Sequence, residues 1–280
     1  MSARPLEELT ARIAPAGIVR VDLRGDDTRC VAFGDVQIDD RFEIGSVTKV
    51  FTAALLEDLV DEGVVSLDEP VTACLGEDWR AGKHVTLERL ARHRSGLPRL
   101  PRKVWAGILR DPDDPYRGLT VDDLRASLPL RIPRGRWFRY SNFGFALLGV
   151  ALQARTGKPW PTLVREYITN SLEMHHTGID GPVVQPHSKK GKPVAPWTLS
   201  ALEPAGGVRS TAADLAKFMR GRTPGLGWMR DNGVRWHNGA TGGTSSFVGW
   251  SDDMQKGLIL LANAQVADSL STAGQGLLQS

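Results

Sequence analysis

The amino-acid sequence predicts a mixed α/β fold of the α+β type, with one antiparallel sheet built from both ends of the chain. Strand-like segments occur between residues 17 and 33, and three more occur between residues 234 and 262. The stretch between them contains helical patterns separated by Pro- and Gly-rich loops, and helical patterns also lie near both termini. The economical architecture is therefore a sheet with flanking helices and an inserted, mainly helical region.

The N-terminal segment predicts a helix followed by a hairpin. Residues 3–13 carry apolar and acidic side chains at helical spacing. Residues 17–23 alternate with a period of two, which is typical of a half-buried strand. A polar turn at residues 24–28 then leads to a second short strand at residues 30–33, so the two strands predict a hairpin.

A second helix is predicted over residues 46–62, and Gly63 ends it. Its apolar side chains recur at helical spacing: Val50, Ala53, Ala54, Leu56 and Val60. The middle of the chain then predicts short helices and loops. The helices are expected at residues 86–93, 120–128, 143–156 and 211–219, the second opening with a Thr-x-x-Asp cap, and residues 178–200 are expected to be a loop.

The C-terminal segment predicts the rest of the sheet. Its strands are expected at residues 234–237, 245–250 and 257–262, followed by a last helix at 266–278. We therefore expect a sheet subdomain formed by residues 1–63 and 205–280, with a helical subdomain formed by residues 64–204. A functional site is expected between the two.

Composition excludes several function classes. The chain has 280 residues and a net charge of +3, which is too mild to predict nucleic-acid binding. No apolar run approaches 18 residues and no apolar leader opens the chain, so we expect no membrane span, no signal peptide and a cytoplasmic protein. The six histidines show no metal-ligand spacing and no nucleotide-binding fingerprint is present, so no metal and no cofactor are expected.

Basic residues are concentrated in the middle of the chain. Residues 80–139 contain 15 Lys and Arg against 6 Asp and Glu. Such a segment is typical of a solvated basic face, and it is also what a rim attracting an anionic substrate would require.

The first candidate for chemistry is Ser46-Val-Thr-Lys49 at the start of the predicted second helix. A lysine three residues after a serine lies on the same helix face, which places an amine beside a hydroxyl and can activate the serine as a nucleophile. Taken alone, the tetrapeptide is more typical of a serine helix cap with a solvated lysine, and the motifs that follow in the chain reverse that preference.

Two further motifs supply the groups that serine acylation needs. Tyr140-Ser-Asn142 follows a basic stretch, where nearby cations would lower the pKa of the Tyr140 phenol and let it shuttle a proton; the alternative is a core-edge tyrosine. The four arginines of that stretch are Arg131, Arg134, Arg136 and Arg139. His237-Asn-Gly239-Ala240 lies on a predicted strand, where Gly239 permits close backbone approach and the Ala240 N–H can face an oxyanion opposite the Ser46 N–H. The alternative for this motif is a glycine-rich hairpin with an exposed histidine.

In this order and spacing, the three motifs resemble the class C β-lactamases, serine DD-peptidases and related family VIII esterases. Flanking segments at 42–52, 90–98 and 204–215 are also similar to that family. The resemblance implies a β-lactamase/transpeptidase-like fold. It also implies roles for the reacting groups: Ser46 is the acylated nucleophile, Lys49 its general base and Tyr140 the proton shuttle. Asn142 would position substrate and Lys49, and His237 stands in place of the lactamase lysine. Gly239 with the Ser46 and Ala240 N–H groups would form the oxyanion hole. His93, in the segment 90–98, is expected to be structural.

Three departures from the family narrow the expected function. His237 removes a permanent cation that faces the substrate carboxylate in the lactamases, no exporting leader is seen, and the region 157–204 is compact. We therefore expect an acyl-Ser46 enzyme that acts on a small carboxylic ester, as a cytosolic esterase or as a biosynthetic ester-to-amide transacylase with an amine acceptor, of the kind used in antibiotic biosynthesis. The arginines of residues 131–139 are expected to approach the site and to favour an anionic or nucleotide-like substrate.

Other functions remain open. A D-amino-acid amidase or peptidase, or a β-lactamase, would use the same mechanism, and a non-enzymatic acyl-ligand-binding module would use the same fold. An α/β-hydrolase is excluded, because the chain contains no Gly-x-Ser-x-Gly elbow.

Overall fold

The frame of the protein is a six-stranded antiparallel sheet, seen in a computed structural model that describes residues 4–13, 15–135 and 137–280. In chain order the strands are β1 (Gly17–Arg24), β2 (Asp27–Gly34), β3 (Arg41–Glu43), β4 (Arg209–Thr211), β5 (Met229–Asp231), β6 (Val234–Ala240), β7 (Ser245–Ser251) and β8 (Lys256–Ala262). The sheet order is β2-β1-β8-β7-β6-β5, and β3 and β4 form a separate two-stranded ribbon. The mixed fold with a sheet built from both chain ends is thus confirmed.

Eleven α-helices occur in the described residues. They are α1 (Arg4–Arg12), α2 (Thr48–Asp61), α3 (Val71–Leu75), α4 (Leu87–Ala91), α5 (Arg102–Arg110), α6 (Val121–Ala126), α7 (Asn142–Thr156), α8 (Trp160–Val164), α9 (Glu203–Gly206), α10 (Ala212–Gly221) and α11 (Ala267–Gln279). Across residues 4–13, 15–135 and 137–280, no helix is long and apolar enough to cross a bilayer.

The two chain ends meet where β1 pairs with β8, from Ile18 opposite Ala262 to Arg24 opposite Lys256. Alternation along β1 sends Val19 and Val21 into the main core with α2, whereas Ile18 packs in a second core under α1 and α11. Each face of the sheet is therefore covered by helices, as expected when both faces carry apolar side chains.

Helix α7 is the centre of the helical region. Its residues 143–152 are all buried, as expected for a helix that is apolar on every side. The Ser141 hydroxyl caps its start by accepting the Gly144 N–H at 2.8 Å, and Gly157 ends it with a φ of +69°. This cap fixes the chain direction immediately after Tyr140. The division into two subdomains, 1–63 with 205–280 and 64–204, stays a prediction.

Several elements differ from the sequence prediction. The helix expected over 46–62 begins at Thr48, because residues 45–47 form a tighter 3₁₀ turn. The sequence did not predict α3, α5, α8, β5 or the ribbon β3–β4, most of which span only three to five residues and therefore show no periodicity. Residue 3 of the predicted first helix lies outside the described residues.

Candidate active site

Ser46 is presented by a 3₁₀ turn, Gly45–Val47, that leads directly into α2. Gly45 has a φ of +48°, a left-handed conformation that favours glycine. A Cβ added to Gly45 would lie 2.6 Å from the backbone N of Ala240, at the end of β6. The turn therefore needs glycine for its geometry and for the close approach of β6, and this holds the half-buried Ser46 beside that strand.

Lys49 lies one turn deeper and is fully buried. Its Nζ lies 2.9 Å from the Ser46 Oγ and donates to the Ala205 carbonyl oxygen at 2.6 Å. Burial, and secondly the charge of Arg99, hold the pKa of Lys49 well below its ordinary value. A lowered pKa favours the unprotonated amine, and an unprotonated amine in this position can accept the Ser46 proton. The alternative of a helix cap with a solvated lysine does not hold.

Tyr140 lies just before α7 and faces two basic side chains. The Lys49 Nζ is 5.0 Å from the centre of its ring, and the Arg99 guanidinium carbon is 5.4 Å away. Burial nevertheless raises the pKa of Tyr140 to about 12, outweighing the hydrogen bond with Ser46 and the charge of Arg99. The predicted lowering of this pKa is therefore wrong, because desolvation exceeds the effect of the cations. A neutral phenol is a proton donor for a leaving group.

His237 is fully buried on β6, so an exposed hairpin histidine is excluded. Its Nδ1 lies 2.7 Å from the Asn238 carbonyl oxygen, which assigns the proton to Nδ1 and leaves Nε2 as an acceptor. Burial, together with the charge of Lys49, lowers the pKa of His237 to about 3. The imidazole is neutral at pH 7 and its ring centre lies 6.3 Å from that of Tyr140. The cation of the lactamases is thus absent at this position.

His93 supports Tyr140 from the other side. The two rings stack with centres 4.3 Å apart, and the His93 Nδ1 accepts the Ser141 N–H at 3.0 Å. Burial lowers the pKa of His93 to about 2, and Lys49 and His237 in their protonated forms would add a smaller repulsion. A neutral imidazole that fixes the residue after Tyr140 is a positioning group, which agrees with the structural role expected for it.

Gly239 and Ala240 bring β6 against the serine turn. A Cβ added to Gly239 would lie 2.0 Å from the Ile44 carbonyl oxygen and 2.9 Å from the Ser46 backbone N. The Ala240 N–H and the Ser46 N–H therefore belong to two segments in direct backbone contact. Both residues line the same cavity, as an oxyanion hole requires.

The cavity over Ser46 has a volume of about 440 Å³. Its wall includes Tyr116 and Trp197, whose rings meet edge to face with centres 5.0 Å apart. Arg99 and Asp268 also line it. The cavity thus offers an aromatic wall and two charged side chains around the nucleophile.

Asn142 lines the cavity beside Tyr140. Its backbone N–H donates to the Arg99 carbonyl oxygen at 2.9 Å, while its buried Oδ1 has no hydrogen-bond partner in the part of the chain that the structure describes. The Lys49 Nζ contacts Ser46 and Ala205, so the role of Asn142 in positioning substrate and Lys49 stays a prediction.

The basic segment 131–139 does not supply the cation of the cavity. Arg131, Arg134 and Arg139 are exposed and are not among the described residues that line it, and Arg136 lies outside the described residues. Sequence reasoning missed Arg99, Tyr116, Trp197 and the Ala205 carbonyl. Arg99 directly follows the segment 90–98 and Ala205 lies within 204–215, so the similarity of these two segments to the family is the signal that could have led to both positions.

Comparison with known proteins agrees with this geometry. The Beta-lactamase family model matches residues 6–225. The D-alanyl-D-alanine-carboxypeptidase/endopeptidase AmpH of Escherichia coli K12 is 32% identical over 198 residues, covering 66% of this chain and 49% of the relative. A beta-lactamase of Providencia stuartii is 30% identical over 197 residues, covering 66% and 48%. The chain spans about half the length of these relatives.

Solved structures show the same fold over nearly the whole chain. A class C beta lactamase from Rhodobacter sphaeroides superposes with a TM-score of 0.83 at 20% identity, covering 99% of this chain and 97% of that one. A D-stereospecific amidohydrolase from Streptomyces sp. gives a TM-score of 0.80 at 24% identity, covering 97% and 96%.

Proposed function

This chain belongs to the beta-lactamase family, and we propose that it is a serine acyl-transfer enzyme that acts through an acyl-Ser46 intermediate on a small carboxylic ester. The observation that carries this proposal is the 2.9 Å separation between the Ser46 Oγ and the Lys49 Nζ, in a site where the lysine is fully buried. A buried amine whose pKa is lowered, in contact with a serine hydroxyl, is suited to act as a general base beside a nucleophile.

The mechanism follows from the positions of the side chains. Lys49 takes the Ser46 proton while Oγ attacks the substrate carbonyl carbon. The oxyanion lies between the Ser46 and Ala240 N–H groups. The C–O bond to the alcohol then breaks as Tyr140 gives its proton to the departing oxygen, and Lys49 returns a proton to Tyr140. Water or an amine, deprotonated by the same groups, finally releases the acyl group from Ser46.

The preference for esters rests on His237. A neutral imidazole, with its Nδ1–H already donated to the Asn238 carbonyl, provides no charge at the position where the lactamases hold a substrate carboxylate. An alkoxide or phenoxide is also an easier leaving group than the amide anion that would leave without protonation, so Tyr140 needs to transfer its proton less completely to an ester. Both points favour an ester as the acyl donor, in an esterase or an ester-to-amide transacylase.

A second candidate, a D-amino-acid amidase or peptidase, is favoured by one specific observation. Arg99 places a positive charge in the cavity, whereas His237 is neutral. Relatives and structural neighbours include a carboxypeptidase and a D-stereospecific amidohydrolase by name. An amide substrate would use the same acyl-Ser46 intermediate, with an amine as the leaving group.

The test is intact-protein mass spectrometry and product analysis with p-nitrophenyl esters. Wild-type protein is expected to form a covalent adduct with the ester or to hydrolyse it repeatedly, whereas Ser46→Ala should do neither. The matched control is Ser66→Ala, because the Ser66 hydroxyl lies on the exposed surface and donates to Asp68. Near wild-type rates in Ser46→Ala would show that the proposal is wrong. If no adduct and no turnover occur across a varied panel of esters and D-amino-acid amides, the protein is an acyl-ligand-binding module instead.

The acceptor is identified in the same assay. Adding a panel of amines and measuring the ratio of amide to free acid separates a transacylase from an esterase. Amide formation in excess of hydrolysis supports the transacylase, and free acid alone at every amine concentration supports the esterase.

A further inference from the structure

We propose that Arg99 binds a carboxylate group of the substrate, so that this site selects acyl compounds that carry a carboxylate in addition to the bond that is cleaved. The inference rests on the proposed acyl-Ser46 function and names the substrate class of that same site. The sequence predicted that the basic segment 131–139 would recognise an anionic substrate. The inference assigns that recognition to Arg99 instead.

The position of Arg99 is fixed by its backbone rather than by its side chain. Its carbonyl oxygen accepts the Asn142 N–H at 2.9 Å and the Phe143 N–H at 3.2 Å. These bonds tie Arg99 to the start of α7, immediately after Tyr140. The side chain is exposed and therefore available to a ligand, while the backbone of Arg99 is held to the segment that carries Tyr140.

The guanidinium faces the reacting groups. Its central carbon lies 5.4 Å from the centre of the Tyr140 ring, and the residue lines the same cavity as Ser46. The charge of Arg99 contributes to lowering the pKa of Lys49 and opposes the rise in the pKa of Tyr140. A small substrate could thus bind this guanidinium through an anionic group while its reacting carbonyl lies at Ser46.

The charge of Arg99 is not neutralised by the protein. Some arginines of residues 80–139 form ion pairs, such as Arg117 with Asp114 at 3.1 Å and Arg125 with Asp78 at 2.8 Å. Within residues 4–13, 15–135 and 137–280, Arg99 forms no ion pair, and Asp268 across the cavity does not contact it within ion-pair distance. An exposed guanidinium that lines the cavity and has no carboxylate partner among the described residues is suited to bind a carboxylate of a ligand in a two-pronged contact.

Arg99 is also the one Lys or Arg among the described residues that line the cavity. His237, which stands where the lactamases have lysine, is neutral. Recognition of a substrate anion therefore falls to Arg99, on the α7 side of the site. The Tyr116–Trp197 wall remains for the apolar part of the substrate.

Three esters test the inference: p-nitrophenyl butyrate, mono-p-nitrophenyl glutarate and meta-carboxyphenyl butyrate. The first is neutral, the second carries its carboxylate on the acyl part, and the third carries it on the leaving group. The readout is the ratio of kcat/KM for each carboxylate ester to kcat/KM for the neutral ester. The variants are Arg99→Gln, Arg99→Lys and, as the matched control, Arg134→Gln in the exposed basic segment.

In the wild type we expect a ratio above one for at least one carboxylate ester. The loss of one charge-assisted contact in Arg99→Gln should lower that ratio by about tenfold, mainly through KM. Arg99→Lys should keep part of it, and Arg134→Gln should keep all of it. Added salt should lower the wild-type ratio and leave that of Arg99→Gln unchanged.

The inference is overturned if both ratios in Arg99→Gln equal those of the wild type, or if Arg134→Gln lowers them as strongly. A misfolded Arg99→Gln would lose the neutral ester as well, and the decision then rests on the Arg99→Lys ratio and the salt dependence. Failure of the proposed function is a different result, because the wild type would then acylate with none of the three esters.

Discussion

Gly239→Ala should separate the oxyanion hole from the rest of the site. The added methyl would lie 2.0 Å from the Ile44 carbonyl oxygen, over a full ångström closer than an ordinary carbon–oxygen contact of about 3.4 Å. It would also lie 2.5 Å from the Ser246 Oγ, which donates to that same carbonyl at 2.7 Å. The Ile44 carbonyl belongs to the backbone directly before the serine turn that carries Ser46. Strand β6 must therefore move away from Ser46.

The size of the effect follows from that displacement. A shift of about 1 Å removes the Ala240 N–H from the oxyanion, and losing one such donor costs about 10²–10³ in kcat. Overpacking a tight contact should also cost about 1–3 kcal/mol of the free energy of unfolding. KM should change little, because the oxyanion forms only in the transition state.

The control is Gly276→Ala in α11, where an added Cβ meets no atom within 4 Å. This variant should be stabilised by about 0.5–1 kcal/mol relative to glycine in the helix and should keep wild-type kcat. The measurements are kcat and KM on a p-nitrophenyl ester, with stability from denaturant unfolding. Wild-type kcat in folded Gly239→Ala would refute the assignment of this strand to the oxyanion hole.

Two further predictions concern protons in the site. Lys49→Arg introduces a permanently protonated guanidinium that cannot act as a base, so the rate of Ser46 acylation in stopped-flow burst measurements should fall by at least about 10²-fold, and an unchanged burst would contradict the role of Lys49. His93 and His237 have pKa values of about 2 and about 3 in the folded protein, below the ordinary value of 6.5. Between these folded pKa values and pH 6.5, the unfolded chain therefore binds more protons than the folded protein does. Stability should therefore fall as pH drops below 6.5, by up to about 1.4 kcal/mol per pH unit for each histidine, and urea unfolding that is equally stable at pH 7 and pH 5 would contradict their burial in the neutral form.

The sequence predicted those parts of the fold that have a period or a fixed motif. The alternation of β1 and the uniformly apolar pattern of α7 were sufficient to place both. The spacing from Ser46 to Lys49, together with the motifs at 140–142 and 237–240, was sufficient to predict that the two side chains meet. Elements such as β3, with three residues, were missed because they are held by tertiary contacts rather than by local preference.

The environment of the site could not be predicted from local sequence. The pKa of Tyr140 depends on how deeply the phenol is buried, and this is decided by segments distant in the chain. Arg99 was missed because it carries no motif. Its backbone bonds to Asn142 and Phe143 hold it at the cavity, which it lines, whereas the described arginines of 131–139, closer in sequence to Tyr140, do not line it.

The pairing of β1 with β8 has a consequence for the order in which the protein becomes active during its synthesis. Ser46 and Lys49 leave the ribosome early, but β6, which carries Gly239 and Ala240, is made almost 200 residues later. The sheet that holds β6 in place closes only after β8 has been made and has found the waiting N-terminal hairpin. Such closure over a long stretch of chain is slow compared with local helix formation. The nascent chain would therefore carry the proposed nucleophile Ser46 without the proposed oxyanion hole until β8 is in place.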